Sequence, residues 1–186
     1  MEEKPLVLLI LGSASDAATV VKSGMLGVFE ETGTACRASI ISAHRNDKEL
    51  TAELSSTWGM AARVIIGIGG MALALPGSIA AKTNDERIVL GVALASAERP
   101  DARDATEAII RLPEGTAVGF CGIGKAGLVN AAILACQIVG VWPSTAGHSS
   151  IGDHLATLRT NFKLRKPPQF GVDLRKIVEA QTAKTG

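Results

Sequence analysis

A short polar cluster follows an apolar run in the first quarter of the chain. In "IISAHRND", residues 40–47, Ser42 and Arg45 offer a hydroxyl and a fork of charged donors that suit one anion, and Ala43 and His44 lie between them. An imidazole can pass a proton in either direction near neutral pH. A lone histidine is more often a packing residue, but its place between two anion donors favours a catalytic role for His44.

A second polar cluster, "GSASD" at residues 12–16, follows the first apolar run. Gly12 permits a tight turn, and Ser13 and Ser15 could offer hydroxyls and free backbone N–H groups to a phosphate at the start of a helix. The alternative is that either serine only caps that helix. A phosphate would repel Asp16, so we expect this carboxylate to accept hydrogen bonds from hydroxyls such as those of a ribose.

Two glycine-rich segments follow later apolar runs. In "GIGGMALALPGSIAAKT", residues 67–83, Gly69 and Gly70 would let a flat ligand approach the backbone, although a tight strand-to-helix turn explains each glycine equally well. In "GIGKAGLVNAAILACQIVG", residues 122–140, Lys125 lies in a glycine-rich bend without the spacing of an ATP-binding loop. The alanines that follow predict a helix that could pack against a second copy.

Five apolar runs alternate with helix-compatible stretches and must position these clusters. The runs are residues 6–12, 37–42, 63–70, 87–94 and 116–124. Such alternation predicts a parallel sheet covered by helices on both faces, a three-layer, doubly wound α/β fold. Ligands of such sheets bind beyond the carboxyl ends of the strands, where the polar clusters fall. The charged stretch 94–115 is predicted to form a solvated rim and a short helix.

Length and charge limit the domain organisation and the partners. The 186 residues, 47% hydrophobic and 20% charged, fit one α/β domain over 1–141 with a helical extension over 142–186 that we expect to pack on a neighbouring subunit. A net charge of +1 without a basic stripe argues against nucleic acid or an anionic membrane as partner. The partner is therefore expected to be a small molecule.

The cysteines and histidines give no sign of export or of a metal site. Cys36, Cys121 and Cys136 lie in apolar segments without paired spacing, and we expect them to be small buried residues of a protein in the reducing cytoplasm. The first apolar run is too short to span a bilayer. His148 and His154 lack acids or cysteines at metal-ligand spacing, and both are predicted to be structural or exposed.

Four motifs together resemble one enzyme family. "GSASD", "SAHR", "GIGG...LPGSIAAKT" and "GIGKAGLVNAA", spread over residues 6–140, resemble the N5-carboxyaminoimidazole ribonucleotide mutases and aminoimidazole ribonucleotide carboxylases of purine biosynthesis. The resemblance implies a flavodoxin-like sheet, a homo-octamer, and no metal or organic cofactor. It also implies that Ser13 and Asp16 bind phosphate and ribose, that Ser42 and Arg45 bind phosphate, and that His44 transfers a proton. The residues expected to bind substrate are Gly12, Ser13, Ser15, Asp16, Ser42, Ala43, Arg45, Gly69, Gly70, Met71 and Leu75.

The leading hypothesis is a carboxyl transfer that converts N5-carboxyaminoimidazole ribonucleotide into 4-carboxyaminoimidazole ribonucleotide. CO2 leaves the exocyclic nitrogen, stays nearby and is attacked by a ring carbon, whose proton His44 removes. Glycine-lined apolar walls would retain the CO2. The alternatives are direct carboxylation of aminoimidazole ribonucleotide or of a related ring ribotide by CO2, and a non-catalytic nucleotide-binding module.

The segment after the third apolar run departs from the family pattern. "GGMALALPG", residues 69–77, is one residue longer than the Gly-Gly-Ala-Ala-His-Leu-Pro-Gly of bacterial mutases and lacks the histidine. The longer spacing, and Arg111 in "RLP", resemble the direct carboxylases, which carry Arg-Ser-Asn where Met71, Ala72 and Leu73 stand. The "ERPDARD" loop, residues 98–104, also departs from the family's Gln-Ser substrate loop. The chain is therefore predicted to be a divergent member.

Overall fold

Parallel strands form one sheet in the computed structural model, which describes residues 7–83 and 87–141 and, in addition, Leu155, Thr157 and Thr160. In these residues the sheet has five strands: β1 (Val7–Leu11), β2 (Cys36–Ile40), β3 (Val64–Gly69), β4 (Ile88–Ala93) and β5 (Gly119–Ile123). Each strand falls on one of the predicted apolar runs, within a few residues at either end. Their order, β2-β1-β3-β4-β5, is the flavodoxin-like order.

Helices cover both faces of this sheet, as the alternating pattern predicts. They are α1 (Ala17–Ser23), α2 (Met25–Thr32), α3 (Asp47–Ser55), α4 (Thr57–Ala61), α5 (Leu75–Thr83), α6 (Arg103–Ile110) and α7 (Gly124–Val141). Helices α3, α5 and α6 share one apolar core with β1, β3 and β4, whereas α1, α2 and α7 contact one another. The three-layer, doubly wound architecture is therefore confirmed.

The edge strands are less covered than predicted. Every residue of β1 and β3 is buried, but β2 and β5 contain no buried residue. An edge strand lacks a neighbour on one side, so an apolar run in the sequence does not guarantee burial. For this reason Cys36, at the start of β2, is exposed and Cys121 only partly buried, which corrects the prediction that both are buried; Cys136 is buried as predicted.

The small residues of helix α7 pack against other elements of the same chain. Ala131, Ala132 and Ala135 are completely buried, and α7 contacts α1, α2 and strands β3 to β5. The chain's own helices and strands therefore occupy the face of α7 that carries these alanines, and packing of α7 against a second copy stays a prediction. Lys125 lies in the first turn of α7 rather than in a preceding bend, and its side chain is exposed to solvent.

The stretch predicted as a charged rim is largely solvated. Residues 97–101 are exposed, and in α6 Glu107 accepts a 2.8 Å hydrogen bond from Nε of Arg103 and lies 3.8 Å from Nη2 of Arg111. These pairs are exposed and contribute little to stability.

The predicted C-terminal extension lies almost wholly outside the described residues. Contacts divide the chain into two units, residues 1–155 and 156–186. The predicted boundary at 141/142, and the roles expected for His148 and His154, stay predictions. No helix among the described residues is long and apolar enough to cross a membrane.

Candidate active site

A cavity of about 580 Å³ lies where β1, β2, β3 and β4 end. All twelve residues predicted to form the site line it: Gly12, Ser13, Ser15, Asp16, Ser42, Ala43, His44, Arg45, Gly69, Gly70, Met71 and Leu75. A larger groove of about 890 Å³ includes residues 87–90 and 116–120, where β4 and β5 begin, and holds none of the twelve. We locate the candidate site in the smaller cavity because the chemistry-bearing residues converge there.

Backbone hydrogen bonds beyond the strands tie the four strand ends together. They run from Ile41 N–H to the Leu11 carbonyl (2.8 Å), from Gly12 N–H to the Ile68 carbonyl (2.8 Å) and from Leu94 N–H to the Gly69 carbonyl (2.7 Å). Each bond joins neighbouring strands at the point where a loop leaves the sheet. The loops that carry the polar clusters therefore leave the sheet from backbone that hydrogen bonds hold in place. They do so at the switch point, the boundary between β1 and β3 where the strand order reverses, and this fold binds ligands there.

In the turn after β1, Ser13 acts as a helix cap, which was the alternative interpretation of this serine. Its Oγ accepts hydrogen bonds from the Ser15 backbone N–H (3.3 Å) and the Ser15 hydroxyl (2.9 Å) and so caps the 3-10 turn Ala14–Asp16. A hydroxyl can donate while it accepts, so a capping Ser13 still has its O–H for a ligand. A phosphate contact from Ser13 stays a prediction.

The Asp16 carboxylate lies over the switch point. An ideal Cβ placed on Gly69 would be 3.7 Å from its Oδ2, and one placed on Gly12 would be 4.0 Å away. Burial raises the pKa of the Asp16 carboxyl above its ordinary value, and a hydrogen bond with the Ser13 backbone opposes the shift. A half-buried carboxylate inside a cavity can accept hydrogen bonds from sugar hydroxyls.

Asp16→Asn is expected to unfold at a higher temperature than the wild type at neutral pH and to bind substrate about tenfold more weakly. Because burial raises the Asp16 pKa, the folded state of the wild type gains stability as the pH falls through the raised pKa towards the ordinary value of 3.8. Asparagine does not titrate, so the difference in melting temperature should shrink over that window. Thermal unfolding measured from neutral to acidic pH checks this, and a pH-independent difference would refute it.

The turn after β2 presents His44 and Arg45 from a fixed backbone. The N–H groups of Arg45 and Asn46 both donate to the Ser42 carbonyl, at 3.2 and 2.8 Å, and α3 begins at Asp47. Ser42 is buried and Ala43 partly so, whereas the side chains of His44 and Arg45 are exposed. The imidazole and the guanidinium are therefore free to meet a ligand while the turn stays in place.

The glycines after β3 have packing reasons of their own. A Cβ on Gly69 would lie 3.0 Å from the Leu73 side chain, and one on Gly70 would lie 2.9 Å from the Leu94 carbonyl oxygen. Protein atoms thus occupy the space that a side chain would need at either position, and the close approach of a flat ligand to this backbone stays a prediction. The close approach of the β3 and β4 loops is sufficient to require glycine at position 70, because the atom in the way there belongs to the backbone.

The cavity divides into a polar and an apolar part. The loops after β1 and β2 supply Asp16, His44 and Arg45, the ionisable groups of the lining. The loop after β3 supplies only apolar side chains, from Met71 to Leu75, and that after β4 supplies Ala95, Ser96 and Ala97. Among residues 7–83 and 87–141, no three His, Cys, Asp or Glu side chains lie close enough to hold a metal ion.

Two polar residues that line the cavity were not predicted from the sequence. Thr19 lies three residues after Asp16 in α1, and Ser96 follows β4 in a tight turn where its Oγ accepts from Arg99 N–H at 3.1 Å. Helical spacing from Asp16 could have identified Thr19. The strand-end rule applied to β4 could have identified Ser96, in the stretch interpreted only as a rim.

Comparison with known proteins gives matches along most of the chain. Residues 6–160 match the family described as AIR carboxylase. The N5-carboxyaminoimidazole ribonucleotide mutase of Escherichia coli is 39% identical over 133 residues, 72% of this chain and 76% of that protein. The mutase of Pseudomonas aeruginosa is 35% identical over 156 residues, 84% of this chain and 90% of that protein. A crystal structure of a Treponema denticola PurE2 variant, 18% identical, superposes with a TM-score of 0.69 over 97% of this chain and 98% of that one, and shows the fold alone.

Proposed function

Because the chain belongs to the AIR carboxylase family, we propose that it is the enzyme that moves a carboxyl group onto the ring carbon of aminoimidazole ribonucleotide in purine biosynthesis. Its substrate is N5-carboxyaminoimidazole ribonucleotide and its product 4-carboxyaminoimidazole ribonucleotide, the reaction for which the curated relatives are named. The observation that carries the proposal is the convergence of both polar clusters on one cavity at the β1/β3 switch point.

The polar half of the cavity suits a ribose phosphate. Ser42 and Arg45 bind the phosphate, with the Ser13 hydroxyl as a further donor. Asp16, over the switch point, accepts hydrogen bonds from the ribose hydroxyls. The imidazole ring of the substrate then lies between His44 and the apolar loop after β3, where a proton can pass between His44 and the ring carbon.

The proton balance defines what His44 must do. As the bond between the exocyclic nitrogen and the carboxyl carbon breaks, its electron pair stays on nitrogen, which takes a proton from the His44 imidazolium, and CO2 is released. The ring carbon then attacks CO2, a carbon–carbon bond forms, and neutral His44 takes the proton from that carbon. His44 ends in the state in which it began, so one residue suffices for both transfers.

Direct carboxylation by CO2 is the second candidate, and the loop after β3 favours it. This loop is one residue longer than in bacterial mutases and carries no histidine between Gly70 and Leu75. Direct carboxylation needs His44 neutral at the start and releases one proton per turnover, whereas the mutase route needs it protonated. The names of the curated relatives favour the mutase route.

The chain is further proposed to act as a cytoplasmic homo-oligomer, an octamer by family resemblance, that binds a nucleotide and CO2 and needs no cofactor. Large apolar side chains at both edges of the sheet support association, since Ile40 in β2 is 53% exposed and Ile123 in β5 is 45% exposed. The predicted extension over residues 142–186 is proposed to pack on a neighbouring subunit.

Separate incubations with the two possible donors test the proposed function. Purified protein is mixed with N5-carboxyaminoimidazole ribonucleotide, and in a second reaction with aminoimidazole ribonucleotide and bicarbonate, and ring carboxylation is followed in each. We expect rapid product formation in the first reaction. Product in the second alone would assign direct carboxylation, and product in neither would leave a nucleotide-binding module.

A further inference from the structure

Met71 lies on the rim of the cavity in a backbone conformation that methionine rarely adopts. Its φ is 56°, and within residues 7–83 and 87–141 the one other non-glycine residue with positive φ is Ala102. The left-handed region is energetically unfavourable for both residues. Ala102 is completely buried in the core, which offsets that cost, whereas 54% of Met71 is exposed. Core packing therefore does not explain why a methionine stands at this position.

Its neighbours hold the loop around Met71 in place. The Leu73 N–H donates to the Met71 carbonyl at 2.9 Å, and the Leu73 side chain is buried. The Gly70 backbone lies so close to the Leu94 carbonyl oxygen that an added Cβ would be 2.9 Å away. Because these contacts fix the backbone on both sides, the Met71 side chain stays at the cavity rather than turning into the core.

The chemistry of this wall suits an uncharged, flat partner. From Met71 to Leu75 the loop presents only apolar side chains to the cavity. The unbranched thioether of methionine adapts its shape and packs well against flat rings. A strained backbone conformation that is retained at the edge of a cavity, such as that of Met71, indicates a functional role for the residue.

We propose, resting on the proposed function, that Met71 covers the substrate ring and retains the released CO2 until the ring carbon attacks it. The carbamate carbon–nitrogen bond breaks, nitrogen receives the proton of His44, and CO2 is for a moment held only by the cavity walls. Attack by the ring carbon gives 4-carboxyaminoimidazole ribonucleotide, whereas escape of CO2 gives aminoimidazole ribonucleotide. Met71 thus sets the ratio of carboxyl transfer to loss of CO2.

Met71→Gly tests this role, because glycine adopts a positive φ freely and the variant should unfold at or above the wild-type temperature. With N5-carboxyaminoimidazole ribonucleotide as substrate, the ratio of aminoimidazole ribonucleotide to ring-carboxylated product, corrected for a reaction without enzyme, should rise about tenfold. Isotopically labelled bicarbonate in the medium should enter the product more readily. Met71→Leu, which keeps an apolar side chain of similar volume, should raise the ratio less than Met71→Gly does. Met60→Ala, a change at an exposed methionine that does not line the cavity, should leave both readouts at their wild-type values.

Two outcomes would overturn the inference in distinguishable ways. If Met71→Gly turns over more slowly but keeps the wild-type product ratio and label uptake, Met71 has only a structural role. If the wild type itself forms no ring-carboxylated product from the carbamate, the mutase assignment fails and the inference fails with it.

Discussion

Replacing His44 by asparagine is expected to lower kcat for ring carboxylation about a thousandfold while KM changes no more than about threefold. Asparagine keeps a polar side chain on the turn after β2 but cannot carry a proton between the ring carbon and the exocyclic nitrogen. The proposed phosphate donors Ser42 and Arg45 remain, so we expect substrate binding to be largely retained. Steady-state kinetics with N5-carboxyaminoimidazole ribonucleotide, with substrate affinity measured by calorimetry, separates the two effects.

A cavity-forming variant of the same residue provides a chemical control. His44→Gly should be as inactive as His44→Asn, but free imidazole added to the medium should restore part of its turnover, because the small base can occupy the vacated space. The wild type should not respond to imidazole. Near-normal kcat in His44→Asn would refute the proton-transfer role, and ligand binding without turnover in either protein would support the non-catalytic alternative.

The position of the site could be predicted because it depends on local sequence features. Each apolar run became a strand, and parallel strands bring their carboxyl ends to one edge of a sheet, so polar residues that directly follow two runs must meet. For this reason Ser13 and His44, about thirty residues apart in the chain, line one cavity. The observed order of the strands was implied by the family resemblance, because the connection rules for doubly wound sheets allow more than one order.

Features that depend on contacts between distant segments could not be predicted. An apolar run does not reveal whether its strand is central or at an edge, so the exposure of Cys36 was missed. The reason for glycine at position 70 is the carbonyl of Leu94, which only the pairing of β3 and β4 brings near. The left-handed backbone of Met71 likewise follows from the packing of its loop and not from its residue type.

Arg45→Ala is expected to raise KM for the nucleotide about a hundredfold and to leave kcat within about threefold of the wild type. In the proposed complex the guanidinium donates two charge-assisted hydrogen bonds to the phosphate, and we expect their loss to weaken binding by about 2–3 kcal/mol. The turn itself should survive, because the hydrogen bonds that fix it join backbone N–H groups to the Ser42 carbonyl. Steady-state kinetics of the variant and the wild type measures the change.

Kinetics with the nucleoside that lacks the phosphate tests whether Arg45 contacts that group. Wild-type kcat/KM should be about a hundredfold lower for the nucleoside than for the nucleotide. For Arg45→Ala the two values of kcat/KM should differ only a few-fold, because this variant already lacks the interaction with the phosphate. Arg45→Lys should recover part of the affinity, since an ammonium provides the charge without the planar fork. Arg111→Ala, at an exposed arginine that does not line the cavity, should behave as the wild type with both substrates. If the phosphate contributes as much to the variant as to the wild type, Arg45 binds elsewhere, and the orientation that places the ring beside His44 is wrong.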